Sequence, residues 1–392
     1  MYGNESKKYI IRKEDFGALV YDINQNTLEK LTGSVAESRL SHPNNNDLIR
    51  GESNLSLNGT SLRAPEKLYL DLTTQCNMGC DHCLSGSGVD GIDFLSFHTL
   101  NNIGDQMVES GVFRAKLGGG EPTLHPKFEE IIDNFRKKLL GVSMSTNGLS
   151  ITTRSDLATF LAKEKVKVSV SLDGGMEVHN KIRKHPLAYF SALRAIEKLK
   201  QEGANVTIGS TLSKNNLSEV GKIIEIAEKY EVPVKFKRVK PLGRAITNDL
   251  LITPRTPGYM TAINAINNSK WSCPEGILNM NSCSSDISND IDPEHNSCGV
   301  GTRTMGINPK GQFSPCFFLG ESFLMGDVTK ESIIDVWKNG RTFLEIREAT
   351  SPGVPECDIC QRRSICHGEC RAVALHMTGN INEVDPGCPL AV

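Results

Sequence analysis

Between residues 66 and 250, six short apolar runs alternate with amphipathic stretches of helical period, and no other feature of the chain constrains its fold so tightly. The runs are 68–73, 114–119, 141–147, 166–172, 205–212 and 232–239. Between them, segments such as FHTLNNIGDQMVESG and YFSALRAIEKLKQEG repeat apolar residues every three or four positions, as helices with one buried face do. Strand and helix in alternation imply βα units on a parallel sheet. Six units fall short of the eight that close a barrel, so the expected fold class is α/β: an open, partial (β/α)6 TIM-type barrel with its site at the C-terminal strand ends.

At 392 residues the chain is too long for one hydrophobic core, because single cores stop growing at about 250–300 residues. Composition places the boundaries. Residues 1–65 read as an N-terminal hairpin extension and linker: 7–32 alternate apolar and polar residues about an Asn24-Gln25-Asn26 turn, and 41–67 are rich in Asn, Ser and Gly. The barrel takes 66–270, ending in a helix-prone segment from 256, and 271–392 form a small, irregular, cysteine-rich C-terminal domain. A formal net charge of −2 offers no basic face for nucleic acid. No apolar run suits a signal peptide or a membrane span. The expectation is a cytoplasmic protein with neither a nucleic-acid nor a membrane partner.

Twelve cysteines in such a chain point to metal or redox chemistry in place of disulfides, since the cytosol keeps thiols reduced. Cys76, Cys80 and Cys83 form one tight group directly after the first strand run. Three thiolates can hold three irons of a [4Fe-4S] cube and leave the fourth open, as a catalytic centre requires. Spacing alone also admits a zinc site short of one ligand, or buried free cysteines. After the second run stands Gly118-Gly119-Gly120-Glu121-Pro122, a backbone that a ligand can approach closely.

The C-x3-C-x2-C spacing after a first βα strand, with this glycine turn one unit later, resembles the signature of the radical S-adenosylmethionine (SAM) superfamily. The resemblance implies that the cluster on Cys76, Cys80 and Cys83 binds S-adenosyl-L-methionine, with Gly119, Gly120, Glu121 and Pro122 receiving its methionine amino group. Ser171 and Asp173 would sit by the ribose hydroxyls, Arg183 would meet the carboxylate, and His82 would lie near the adenine. A turn or helix cap is the competing reading of Asp173. Ser145-Thr146-Asn147-Gly148 and Pro241-Leu242-Gly243-Arg244 match further family segments. The implied chemistry is electron transfer to the sulfonium, breakage of its C5′–S bond, and removal of a substrate hydrogen by the 5′-deoxyadenosyl radical. Water must be kept out, so the flanking domains should cover the barrel mouth.

A second set of cysteines reads Cys298-x12-Gly311-x4-Cys316, then Cys357-x2-Cys360-x5-Cys366-x3-Cys370, then Cys388. Paired cysteines suit a zinc ribbon too, but all seven positions resemble the SPASM extension of radical enzymes that modify peptides and proteins. That resemblance implies two auxiliary [4Fe-4S] clusters, the first on Cys298, Cys316 and Cys370 and the second on Cys357, Cys360, Cys366 and Cys388. Cys283, nearer than Cys273, would complete the first; an open auxiliary iron that binds substrate is the alternative.

From residue 66 to 391 the chain is most similar to the mycofactocin maturase and pyrroloquinoline-quinone peptide cyclase group of peptide maturases, notably at Cys83-Leu84-Ser85-Gly86-Ser87-Gly88 and the triple glycine. An enzyme of this kind is an oxidoreductase that abstracts hydrogen from a ribosomally made peptide and leaves a crosslink, a decarboxylation or a related oxidation. Its implied partners are the peptide, a separate peptide-binding chaperone, and an electron donor such as flavodoxin or ferredoxin. The hairpin of residues 7–32 resembles the first strands of small peptide-binding domains fused to some such enzymes, without the helices those domains need; a plain structural extension is the other reading. The alternative function is a sulfatase-maturing or small-molecule radical enzyme. Sulfatase maturases place an Asp directly after the Gly-x4-Cys element, where this chain has Phe317. A non-catalytic electron carrier would need no cofactor turn at all.

Overall fold

All six apolar runs are strands in the computed structural model, which describes residues 8–51, 61–274, 299–351, 353–360 and 368–390. They are β5 (Lys67–Thr73), β6 (Arg114–Gly119), β7 (Gly141–Thr146), β8 (Lys167–Ser171), β9 (Val206–Leu212) and β10 (Val234–Arg238), after four strands of the N-terminal region. They pair in parallel in chain order. Their alternation explains why. Leu68, Leu70 and Leu72, Ala115 and Leu117, Val168 and Val170, and Val234 and Phe236 point outward into one core and are buried, each large side chain contributing roughly 1.5–3 kcal/mol. The helices that cover them present the matching stripe. Phe97–Glu109 buries Leu100, Ile103 and Met107, and its first turn is capped by Ser96, whose side chain accepts the Thr99 N–H at 3.0 Å.

The sheet is open, and it grows past the six expected strands. β11 (Ser272–Pro274) joins β10 in parallel, while β12 (Thr304–Ile307) joins β5 on the other side and turns back antiparallel into β13 (Phe313–Ser314). The cysteine-rich region therefore shares the barrel's sheet. Residues 256–270 supply the helix Tyr259–Asn268. Among the described residues no helix is long and apolar enough to cross a membrane.

The N-terminal region holds the expected hairpin about Asn24-Gln25-Asn26, Gly17–Asp22 pairing antiparallel with Thr27–Thr32, and more than a hairpin and linker besides. The first extended run folds on itself at Gly17 (φ +141°), giving β1 (Tyr9–Glu14) and β2 (Gly17–Asp22) before β3 (Thr27–Thr32). A helix, Gly33–Ser41, follows, and the Asn-rich stretch contains β4 (Asp47–Ile49), which pairs in parallel with β1. The charged residues within 9–22 hid the break, because alternation continues across it. Buried Arg12 anchors this sheet to the barrel: it donates to Pro65 O (2.9 Å) and Gly111 O (3.0 Å) and stacks over Phe113 at 4.9 Å. Tyr21 also meets Phe113. Phe113 precedes β6, so the N-terminal sheet covers the N-terminal strand ends, opposite the mouth that the sequence reading expects the flanking domains to cover.

Candidate active site

The loop after β5 carries Cys76, Cys80 and Cys83 at the C-terminal mouth of the barrel. The three pack in one small cluster with Met78, Leu149 and Ala188, and Cys76 feels the charge of both others. Burial pushes the Cys76 thiol up to about 12. A lone thiolate is therefore costly there, and a bound positive centre is what would hold it ionised.

Arg244 fastens this loop. Its backbone N–H donates to Cys83 O (3.1 Å), and its guanidinium donates to Cys80 O (2.7 Å), Gly86 O (2.8 Å) and Ser87 O (2.9 Å). Gly243 lets the chain come this close: a Cβ there would stand 2.4 Å from Cys83 O and 2.3 Å from Leu84 O. On the other flank, Gly120 N–H donates to Thr73 O (2.7 Å) and Glu121 N–H to Gln75 O (2.9 Å). A Cβ on Gly120 would fall 2.0 Å from Gln75 O, and one on Gly119 (φ +106°) 2.5 Å from Thr73 O. The close approach these glycines permit is thus also that of the cysteine loop.

Glu121 is buried, and four donors hold its carboxylate: the hydroxyls of Thr123 (2.7 Å) and Thr146 (2.8 Å) and the backbone N–H groups of Asn147 (2.9 Å) and Thr123 (3.3 Å). Burial still raises its pKa. The Asn147 side chain donates to Asn77 Oδ1 at 2.7 Å, tying the end of β7 to the cysteine loop. Sequence alone assigns Thr123, Thr146, Asn147 and Arg244 no role. The available signal is a cluster of hydroxyl and amide residues at consecutive strand ends.

Beside the loop, Asp173 and Arg183 pair with each other. Arg183 Nε and Nη2 donate to Asp173 Oδ2 at 2.7 and 2.6 Å, Thr211 N–H donates to Oδ1 at 2.9 Å, and Arg183 Nη1 lies 3.8 Å from Cys80 Sγ. Burial works to raise Asp173, but Arg183 and His82 hold it below the usual carboxylate range. His82 Nε2 stands 4.0 Å from Asp173 Oδ2. Burial lowers the His82 imidazole to about 4, and its buried Nδ1 has no hydrogen-bond partner among the described residues. Ser171 faces inward on β8, opposite Gly209. Pro122 is buried in the turn after Glu121.

The described C-terminal cysteines separate into two groups. Cys316 and Cys370 pack with Val300, Leu319, Ile346 and Ala372, whereas Cys357 feels the charge of Cys360 and Cys388. Cys283, Cys298 and Cys366 lie outside the described residues, and so does the side chain of Cys273.

Residues 70–227 match the family model of the radical SAM superfamily, and residues 298–361 match that of SPASM, an iron-sulfur cluster-binding domain. The chain is 31% identical over 338 residues to mycofactocin maturase MftC of Mycobacterium tuberculosis, covering 83% of each chain. It is 27% identical over 342 residues to the AdoMet-dependent heme synthase of Methanosarcina barkeri, covering 83% of this chain and 96% of that one. Among solved structures, Streptococcus suis SuiB bound to the precursor peptide SuiA shares the fold, with a TM-score of 0.73 at 16% identity over 97% of this chain and 98% of that one.

Proposed function

The chain belongs to the radical SAM superfamily, and from that premise we propose that it reductively cleaves S-adenosyl-L-methionine and directs the resulting radical at a hydrogen of a ribosomally made peptide. One observation carries the reading. The cysteine loop and the Gly-Gly-Glu-Pro turn are a single hydrogen-bonded unit at the barrel mouth, with Thr73 and Gln75 accepting from Gly120 and Glu121.

In this reading Cys76, Cys80 and Cys83 hold the catalytic cluster. Gly119, Gly120, Glu121, Pro122, His82, Ser171, Asp173 and Arg183 surround the S-adenosylmethionine, and the unpartnered His82 Nδ1 fits a site built for a polar ligand. Cys298, Cys316 and Cys370, completed by Cys283, would hold one auxiliary cluster, and Cys357, Cys360, Cys366 and Cys388 the other. When bound, these groups supply the electron chemistry. The chain's own part is to pin the cysteine loop through Arg244, fix Glu121 through Thr146 and Asn147, and keep a positive charge at Cys80 through Arg183.

A peptide substrate is favoured by the similarity to the mycofactocin maturase, and Phe317 after the Gly-x4-Cys element counts against a sulfatase maturase. A small-molecule substrate is the second reading, favoured by the likeness to the heme synthase. We place the enzyme in the cytoplasm, where thiolate ligands stay reduced, with a flavodoxin or ferredoxin as donor and a peptide-binding chaperone as partner. The test is anaerobic reconstitution with iron counting, followed by mass spectrometry of peptides encoded beside the gene. Three cubes predict roughly twelve irons per chain and deoxyadenosine under strong reductant. The Cys76→Ala/Cys80→Ala/Cys83→Ala variant should lose the deoxyadenosine and keep auxiliary iron. Zinc in place of iron, or no cleavage, overturns the proposal.

A further inference from the structure

One segment, 238–244, runs between the two sets of cysteines. At its far end Arg244 donates to the carbonyls of Cys80, Gly86 and Ser87 in the catalytic loop. Its near end leaves β10 toward the C-terminal domain, where Arg238 pairs with Asp385 and Glu369. Between these two arginines stands half-buried Lys240, which the fold turns toward Cys316 and Cys370.

Packing places it there. Lys240 Nζ lies 5.7 Å from the centre of the Phe318 ring, and Phe318 packs against the same apolar core, Val300, Leu319, Ile346 and Ala372, as Cys316 and Cys370 do. Two residues further on, Leu242 closes on the loop after Cys316: a Cβ on Gly320 would stand 3.6 Å from both Leu242 and His376. His376 brings its Nε2 to 3.0 Å from Phe318 O, and its helix, Arg371–Thr378, begins at Cys370. Burial disfavours the Lys240 ammonium, and of the charges acting on it that of Cys370 is the strongest, ahead of Arg238, Glu369 and Asp385.

Cysteine sulfurs in an apolar pocket with a cation beside them fit an anionic iron-sulfur centre, whose potential is set by net charge and surroundings. An electron added to such a centre adds negative charge. A nearby ammonium therefore stabilises the reduced form more than the oxidised one, and low-dielectric surroundings screen it little. The N-terminus of the helix after Cys370 acts in the same sense. Arg238 is matched by two carboxylates, whereas the strongest partner of Lys240 is a cluster ligand. We propose that Lys240 is the charge that raises the reduction potential of the auxiliary centre held by Cys316 and Cys370. The inference rests on reading these cysteines as ligands of one cluster, and it adds the side chain that tunes it. Removing the charge lowers the potential whatever else lies nearby, so the sign of the effect is fixed.

Reconstituted full-length enzyme is poised anaerobically at a series of potentials with redox mediators, and the reduced auxiliary signal is followed by electron paramagnetic resonance. In Lys240→Gln the ratio of reduced to oxidised centre at a fixed potential should fall ten-fold or more, a midpoint lower by about 59 mV or more for a one-electron couple. Lys240→Arg should keep the wild-type midpoint. The same comparison in the Cys76→Ala/Cys80→Ala/Cys83→Ala background should show the same shift, which assigns it to auxiliary iron. An unmoved midpoint in Lys240→Gln with its iron intact overturns the inference. So does an equal shift in Lys240→Gln and Lys240→Arg, which would place the effect in packing, or a shift that vanishes once the catalytic cysteines are removed. Circular dichroism and iron content check each variant. If Lys240→Gln loses iron, Lys240→Met, which keeps an apolar stem against Phe318, carries the titration; iron lost from both makes the lysine a structural support and overturns the inference. Iron counting on the wild type separates the two claims. About four irons per chain would remove the auxiliary-cluster reading itself, whereas roughly twelve with an unmoved Lys240→Gln midpoint removes this inference alone.

Discussion

Arg238 on β10 and Asp385 of the C-terminal segment form a buried ion pair at 2.5 Å across 147 residues of sequence. Glu369, next to Cys370, stands 3.8 Å from the same guanidinium, and Tyr259 donates to Gly387 O at 2.8 Å, one residue before Cys388. Both groups of C-terminal cysteines are thereby referenced to one arginine of the barrel. Removing one partner of a buried pair leaves the other charge uncompensated.

Arg238→Met should accordingly cost about 3–5 kcal/mol and lower the iron retained per chain after reconstitution. The double variant Arg238→Met/Asp385→Leu removes the stranded charge and should recover most of the stability. Denaturation midpoints and iron counts on the three proteins check this. Equal midpoints for the wild type and Arg238→Met would mean that the pair holds nothing together.

Arg244 makes three guanidinium hydrogen bonds to carbonyls of the cysteine loop. Hydrogen bonds to a charged group contribute about 1.5–3 kcal/mol each. Lysine offers a single point charge where a planar fork is used, so Arg244→Lys should behave much like Arg244→Ala. Both should speed iron loss from the first cluster in air by ten-fold or more, followed by absorbance near 400 nm, and lower deoxyadenosine formation in proportion. A lysine variant as durable as wild type would show that the loop needs charge and not geometry.

The barrel was legible because its strands obey a period of two and its helices a period of about 3.6, without dependence on distant partners. Six runs from 68 to 239 became β5 to β10. What stayed hidden depends on tertiary contact. β11 and β12 are three and four residues long and carry too little pattern to stand out; they are strands because β10 and β5 present free edges. The N-terminal break at Gly17 lay inside an unbroken alternation. The cysteines announced themselves by spacing, whereas the four donors on Glu121 come from residues 2 to 26 positions away that only the fold collects. Asp173 and Arg183 stand out in the sequence as candidate site residues, and only the fold shows them paired with each other.

Gly120 tests whether the glycine turn serves the loop's packing. A Cβ there would lie 2.0 Å from Gln75 O, with backbone on the far side that cannot yield. Gly120→Ala should force the cysteine loop away from the turn and reduce deoxyadenosine formation at least 100-fold, a loss on the order of 2.7 kcal/mol. Gly88, in the same loop, has open space where its Cβ would be, and Gly88→Ala should keep its iron and most of its turnover. Comparable losses in both variants would point to general loop fragility.

Asp71 makes stability depend on pH in a direction opposite to most carboxylates. Burial lifts it from 3.8 to about 7, with Lys116 opposing. Between those values the folded chain holds a proton that the unfolded chain has released, so stability falls as pH rises through this window and the full cost is present above pH 7. Asp71→Asn removes the charge and keeps the shape. The variant should be more stable than wild type at pH 8, by an amount on the order of 1 kcal/mol after solvent screening, or about 2–4 °C. The gap should shrink through pH 6 and close near pH 4, where Asp71 is protonated folded or unfolded. Thermal midpoints of reconstituted proteins across that range decide it: a constant difference would place the effect in packing, and a wild type more stable at pH 8 would mean that Asp71 is ionised and well paired in the lumen.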